Sequence, residues 1–228
     1  MQKTITYNLI RSKRKSIAIH ITKDATVEVR APFGISKAEI DRIVTSKQNW
    51  IHKRLVERQE QIEQKAEFLL NYKSLLSVQG KVYPITVKDD NELGFDGKSF
   101  YLPPNLSSKE IKYAAIQIYK MIAKNVLTNK VSSYSKLMKV APRAVKINSA
   151  KTRWGSCSSK NSINFSWRLI MADEDVIDYV VVHELAHIKE HNHSARFWTV
   201  VESVLPDYKE RIAKLKAFEK HLAGEDWE

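Results

Sequence analysis

The chain has 228 residues, of which 43% are apolar and 28% charged. That length can bury a sizeable core, and that balance excludes a disordered, collagen-like or fibrous protein. The formal net charge is +12, and the single cysteine, Cys157, excludes both an intrachain disulfide and an all-cysteine zinc site.

The N-terminal stretch lacks the apolar core of a signal peptide. No uncharged apolar run approaches the roughly 18 residues of a spanning helix. The expectation is a cytoplasmic protein without a membrane segment. Residues 3–31 read as strands, with clean period-two alternation from Thr26 to Arg30. Ser36 followed by Glu39 resembles a capping box. It opens one helix running to about residue 64, with Ile40, Ile43, Trp50, Ile51 and Leu55 recurring at helical spacing. Strands return at 81–87 and 99–102, with Asp90-Asn91 and Asp96-Gly97 as turn chemistry between them. Pro103, Pro104 and Asn105 mark the expected boundary between a β-rich N-terminal region, 1–104, with one long helix, and a second domain, 105–228.

A long helix follows from Ser107 or Ser108, with Ile111, Ala115, Ile118, Ile122 and Val126 as its apolar stripe. Pro142 closes the helical region. Residues 144–148 and 162–165 read as strands around a loop containing Gly155. The acids from Asp173 to Asp175 then open another helix at its positive dipole end. The overall pattern is α+β.

Charge is concentrated in one segment. From Lys109 to Lys160 there are twelve basic residues against one acid, Glu110. Such asymmetry suits a polyanionic partner, so contact with nucleic acid or a nucleotide through this segment is one expectation. The alternative is an ordinary solvated helix face.

The chemistry concentrates in His183, Glu184, Leu185, Ala186 and His187. Two histidines four apart share one helix face and can close on a single zinc ion, while Glu184 can reach a water held there. Four of the seven histidines fall between residues 183 and 193. In a continuing helix His191 would lie about 12 Å along the axis from His183. The chain must therefore bend back, with Asn192 as a left-handed bend residue and His193 as the preferred third ligand. His191 and Glu202 remain the alternatives. Cys157 reads as a small buried residue rather than a nucleophile, and Trp154, Trp167 and Trp198 as core or cleft-wall packing.

Several stretches together resemble the YgjP-like metallopeptidases, a group related to the SprT and WLM zincins. They are Arg153 to Ser158, Ile163 to Ile170, Ile177 to His187, Asn192 to Ser194, and Phe197 with Trp198. The resemblance implies a zincin-like catalytic domain with its active-site helix beside a small sheet. It implies zinc held by His183, His187 and His193, with Glu184 catalytic. Two positions depart from the family pattern: Asn161 stands in place of glycine and Ser166 in place of asparagine.

The expected reaction is metal-assisted hydrolysis of a peptide bond. The expected partner is a protein or peptide substrate, paired with the strand before the active helix, 162–165. Arg153, Asn164 and Tyr208 are candidate substrate or oxyanion contacts, and Arg153 alternatively pairs with Asp178 or Glu174. The competing readings are a DNA-associated protease using the 109–160 segment and a metal-dependent nucleotide phosphohydrolase.

Overall fold

The computed structural model describes residues 5–89 and 91–227. The described residues divide into two compact units: residues 5–68 with 221–226, and residues 69–220 with Trp227.

The first unit is built on a three-stranded sheet of β1 (Asn8–Ser12), β2 (Ala18–Ile21) and β3 (Val27–Pro32). The central strand is β3, parallel to β1 and antiparallel to β2. Its alternation drives Val27, Val29 and Ala31 inward onto one face. Two helices cover that face, α1 (Lys37–Ser46) and α2 (Gln48–Glu67). Ile40, Val44 and Ile51 join the same buried cluster. The single helix expected from Ser36 is therefore two. Lys47 sits at φ −104°, ψ 8° between them, and this step off the helical path lets residues on both helices reach one cluster. Ser36 does cap α1, its side chain accepting from the Glu39 N–H.

The second unit begins with a four-stranded sheet of β4 (Leu75–Val78), β5 (Lys81–Val87), β6 (Gly94–Phe95) and β7 (Phe100–Leu102), in the order β4-β5-β7-β6. Next comes α3 (Ser108–Met138), opened by a complete capping box between Ser107 and Glu110. Of its expected stripe, Ile111, Ala115 and Ile118 are buried. Further along, Ala123, Leu127 and Val131 take the buried positions, while Ile122 and Val126 are only partly covered. The remaining strands, β8 (Ala144–Asn148), β9 (Gly155–Cys157) and β10 (Ser162–Ser166), form a sheet in the order β8-β10-β9. A 3-10 segment, Trp167–Met171, leads to α4 (Glu174–Ala186), followed by α5 (Ala195–Val204) and α6 (Tyr208–Leu222).

The boundary expected at residues 103–105 lies inside this second unit, so the division into 1–104 and 105–228 is corrected. Packing gives the reason. Phe100 on β7 stacks edge-on against Tyr119 of α3 at 5.2 Å, and Tyr119 in turn stacks on Trp167 at 5.6 Å. Gln79 donates its N–H to the Ile170 carbonyl at 2.7 Å, and Ser77 donates its hydroxyl to the Met171 carbonyl. The β4–β5 hairpin is thus bonded to the segment that delivers α4.

Candidate metal centre

Helix α4 is apolar on nearly every side, with Val176, Ile177, Val180, Val181, Val182, Leu185 and Ala186 all buried. A helix buried all round belongs inside a core, and here it carries the two motif histidines and Glu184 into that core. Its acidic first turn is held from two sides. Lys130 of α3 bonds Glu174 at 2.8 Å and Asp178 at 2.7 Å. Lys214 of α6 bonds Asp175 at 2.5 Å, and Arg211 donates to the Asp175 carbonyl. The pairing of Arg153 with Asp178 or Glu174 is therefore corrected: Lys130 occupies both carboxylates.

The helix stops at Ala186, and the chain turns. The N–H groups of Lys189 and Glu190 both donate to the Ala186 carbonyl. The His187 Nδ1 donates to the Glu190 carbonyl at 3.2 Å, which leaves Nε2 as the free lone pair. Asn192 is not left-handed, contrary to expectation. It shapes the turn by accepting the Ser194 N–H on its side-chain oxygen at 3.1 Å. The reversal brings His193 Nε2 to 3.1 Å from His183 Nε2. Donor nitrogens of His183, His187 and His193 all lie within 4.8 Å of one another.

The surroundings press on these rings. Phe197 of α5 lies 4.9, 4.6 and 4.8 Å from the rings of His183, His187 and His193, respectively. Trp198 stacks on His193, and Tyr208 stacks on Trp198. Burial, reinforced by the two neighbouring imidazoles, pushes the His183 pKa down to about 3, so the ring is neutral and available as a ligand. The Tyr179 hydroxyl lies 3.3 Å from His183 Nδ1. Burial, with the Glu184 carboxylate adding to it, pushes that phenol up to about 12, so it stays protonated. Sequence reasoning does not single out Tyr179; its place four residues before His183, on the same helix face, is the signal that finds it.

Glu184 is only 6% exposed, and its Oε2 has no hydrogen-bond partner. Burial alone raises its pKa to about 7. A carboxyl poised near neutrality beside a cluster of histidines is a recurring arrangement for proton transfer.

The structure brings His183, His187, His193 and Glu184 together on one helix and the turn after it. His191 and Glu202 are exposed and lie outside the cluster. Asn164 stays away from it. It pairs with Ser156 across the sheet and donates to the Ser156 hydroxyl, on the face opposite the one Gly155 turns toward Glu184. Arg153 is exposed just before β9. Cys157 is half-buried, and burial together with the Glu184 carboxylate raises its thiol pKa. Trp167 is a core residue, whereas Trp154 is partly exposed and donates to Glu219 at 2.7 Å. Asn161, the departure from the expected glycine, adopts φ 57°, a conformation that asparagine tolerates best after glycine. The strand expected along a substrate cleft, 162–165, is the central strand of its sheet, hydrogen-bonded on both sides. Its edges are taken, so it cannot receive a peptide; the edge strands are β8 and β9, and β9 is the one whose Gly155 faces Glu184.

A family model described as the YgjP-like metallopeptidase domain matches residues 15–218. No curated protein matches the chain. Among solved structures, the chain is similar to the metallopeptidase zymogen of Pyrococcus abyssi abylysin. The identity is 24%, over 40% of this chain and 92% of that one, with a TM-score of 0.38. No described helix is long and apolar enough to cross a membrane. The family description names a peptidase, whose substrates are proteins or peptides. The matched span covers most of the chain and includes all three clustered histidines and Glu184, so this protein belongs to the YgjP-like metallopeptidase family.

Proposed function

We propose that the chain is a zinc-dependent peptidase in which His183, His187 and His193 hold the metal and Glu184 is the general base. The observation that carries this reading is the convergence of three imidazole nitrogens within 4.8 Å beside a carboxyl whose pKa is raised to about 7. The donor set fits the ion. Zinc favours imidazole ligands at about 2.1 Å, and three protein ligands leave a position for water. When bound, zinc lowers the pKa of a coordinated water and polarises the substrate carbonyl.

The chain's own residues supply the rest. The Glu190 carbonyl fixes the His187 tautomer, so Nε2 faces the cluster. Tyr179 sits against the far nitrogen of His183. Glu184 takes the proton of the attacking water on its carboxylate and passes it to the leaving amine. The apolar walls around it keep bulk water from the carboxylate.

Backbone directions support β9 as the strand that aligns the substrate. Ser158 N–H bonds the Ser162 carbonyl, and Ser166 N–H bonds the Trp154 carbonyl. Alternate residues of the β9 segment therefore face β10, leaving the N–H and C=O groups of Gly155 and Cys157 turned outward from the sheet. An extended peptide added at this edge would run beside Glu184.

The test is turnover of casein by zinc-loaded protein. Glu184→Gln is expected to lower kcat by about 10²–10⁴-fold while zinc remains bound at the wild-type ratio. Wild-type turnover retained by the variant would overturn the assignment of the base; zinc binding unaffected by His193→Ala would overturn the ligand set.

A further inference from the structure

We infer that Gly155 is a positioning residue for Glu184: its missing side chain is the space in which the catalytic carboxylate is seated. This rests on the role proposed above for Glu184. A Cβ built on Gly155 would lie 2.6 Å from Glu184 Cγ, 2.6 Å from Oε1 and 2.8 Å from Cδ. All three nearest atoms belong to that one side chain, and all three separations are shorter than any real Cβ contact. Backbone strain does not demand glycine here. Gly155 is not among the glycines with positive φ, which are Gly80 and Gly97, so its backbone suits any residue. A glycine inside a strand, with ordinary dihedrals, marks a close approach of something to its backbone. Here the thing that approaches is the base.

The backbone that forms this seat is held firmly. On one side, Gly155 is in register with Phe165, a fully buried residue of the central strand. On the other, Trp154 donates its indole N–H to Glu219 of α6 at 2.7 Å and packs its ring on Phe218 at 5.1 Å. Glu184 itself leaves from the last turn of a buried helix. A methyl group between a pinned strand and a buried helix has no easy exit, so the flexible carboxylate moves instead. Displacing a catalytic group by about 1 Å costs on the order of 100-fold in rate. The hydrogen bonds and ring contacts described for the three histidines run to Tyr179, Glu190, Phe197, Trp198 and one another rather than to β9, so metal binding should not change.

Gly155→Ala separates the possibilities. The expected result is a kcat lowered by about 100-fold, with KM for a peptide substrate and the bound zinc ratio unchanged. A second measurement is independent of activity. The alanine should lower the Tm in the wild-type background and leave it unchanged when Glu184 is also alanine, because that truncation empties the contested space. If Gly155→Ala alone does not fold, Gly155→Ala/Glu184→Ala should fold. Equal Tm losses in both backgrounds, a double variant that does not fold, or a kcat equal to wild type would each overturn the inference. A Glu184→Gln enzyme that stays active would instead strike the base assignment itself, so the two failures are distinguishable.

Discussion

Burial acts on two adjacent side chains in opposite directions. It pushes His183 down to about 3 and lifts Glu184 to about 7, because in both cases the neutral form is the one that tolerates a dry site. The raised value of Glu184 has a definite consequence for the metal-free protein. The folded chain holds the carboxyl proton more tightly than the unfolded chain. Stability from this source is complete below about pH 4.5 and is lost as pH rises through about 7, by up to about 3 kcal/mol. Glu184→Gln does not titrate, while His183 contributes equally to both proteins. The Tm of wild type relative to Glu184→Gln, followed after chelation, should therefore fall between pH 4.5 and about 7.5 and then level off. A difference that does not vary with pH would show that Glu184 is not desolvated as described.

Elements position these residues through caps and clamps at some distance from the chemistry. Helix α5 starts one residue after the Ser194 cap, whose hydroxyl accepts from the Phe197 N–H at 3.4 Å. Phe197 backs all three imidazoles. Ser194→Ala is expected to cost about 1 kcal/mol of stability and to weaken zinc binding in a chelator competition; a change in neither would mean that the cap does not hold the turn. At the other end of the site, Lys130 is 16% exposed and bonds Asp178, itself 17% exposed, and Glu174. Lys130→Met takes the ammonium from the half-buried Asp178 carboxylate and leaves it the Tyr134 hydroxyl as a partner, at a cost of about 1–3 kcal/mol. Asp178→Asn added to it should recover part of that loss in denaturant unfolding. Strictly additive losses would show that the two side chains do not interact. The same pair bears on the basic segment: Lys130, one of its twelve cations, spends its charge within the protein.

For the molecule as a whole, metal and fold are linked. The three histidines come from α4 and from the turn beyond it, so an ion bridging them binds only the folded arrangement. With free zinc about a thousandfold above its dissociation constant, binding adds about 4 kcal/mol. For a chain of this size, chelation should then lower the Tm by roughly 10 °C. His193→Ala should abolish most of that zinc-dependent difference, and a Tm indifferent to chelation would exclude the metal from the native structure.

Much of the site is legible in the residues alone, because it is local. His183, Glu184 and His187 are set by the pitch of one helix, and the need to bend back selects His193 over His191 from the length of a helical turn. The alternation of Val27, Val29 and Ala31, the cap at Ser36 and the capping box at Ser107 are equally short-range. What the order of residues could not decide depends on contacts between distant segments. Proline-rich residues 103–105 look like a boundary, but Phe100 packs on Tyr119 and ties β7 to the catalytic unit. The strand before the active helix looks like the substrate's partner, but pairing on both sides makes it central and leaves β9 at the edge. Gly155 reads as a loop glycine until the folded chain sets Glu184 against it. Helical periodicity is written within a few consecutive residues, whereas strand order and steric fit exist only once remote parts of the chain have met.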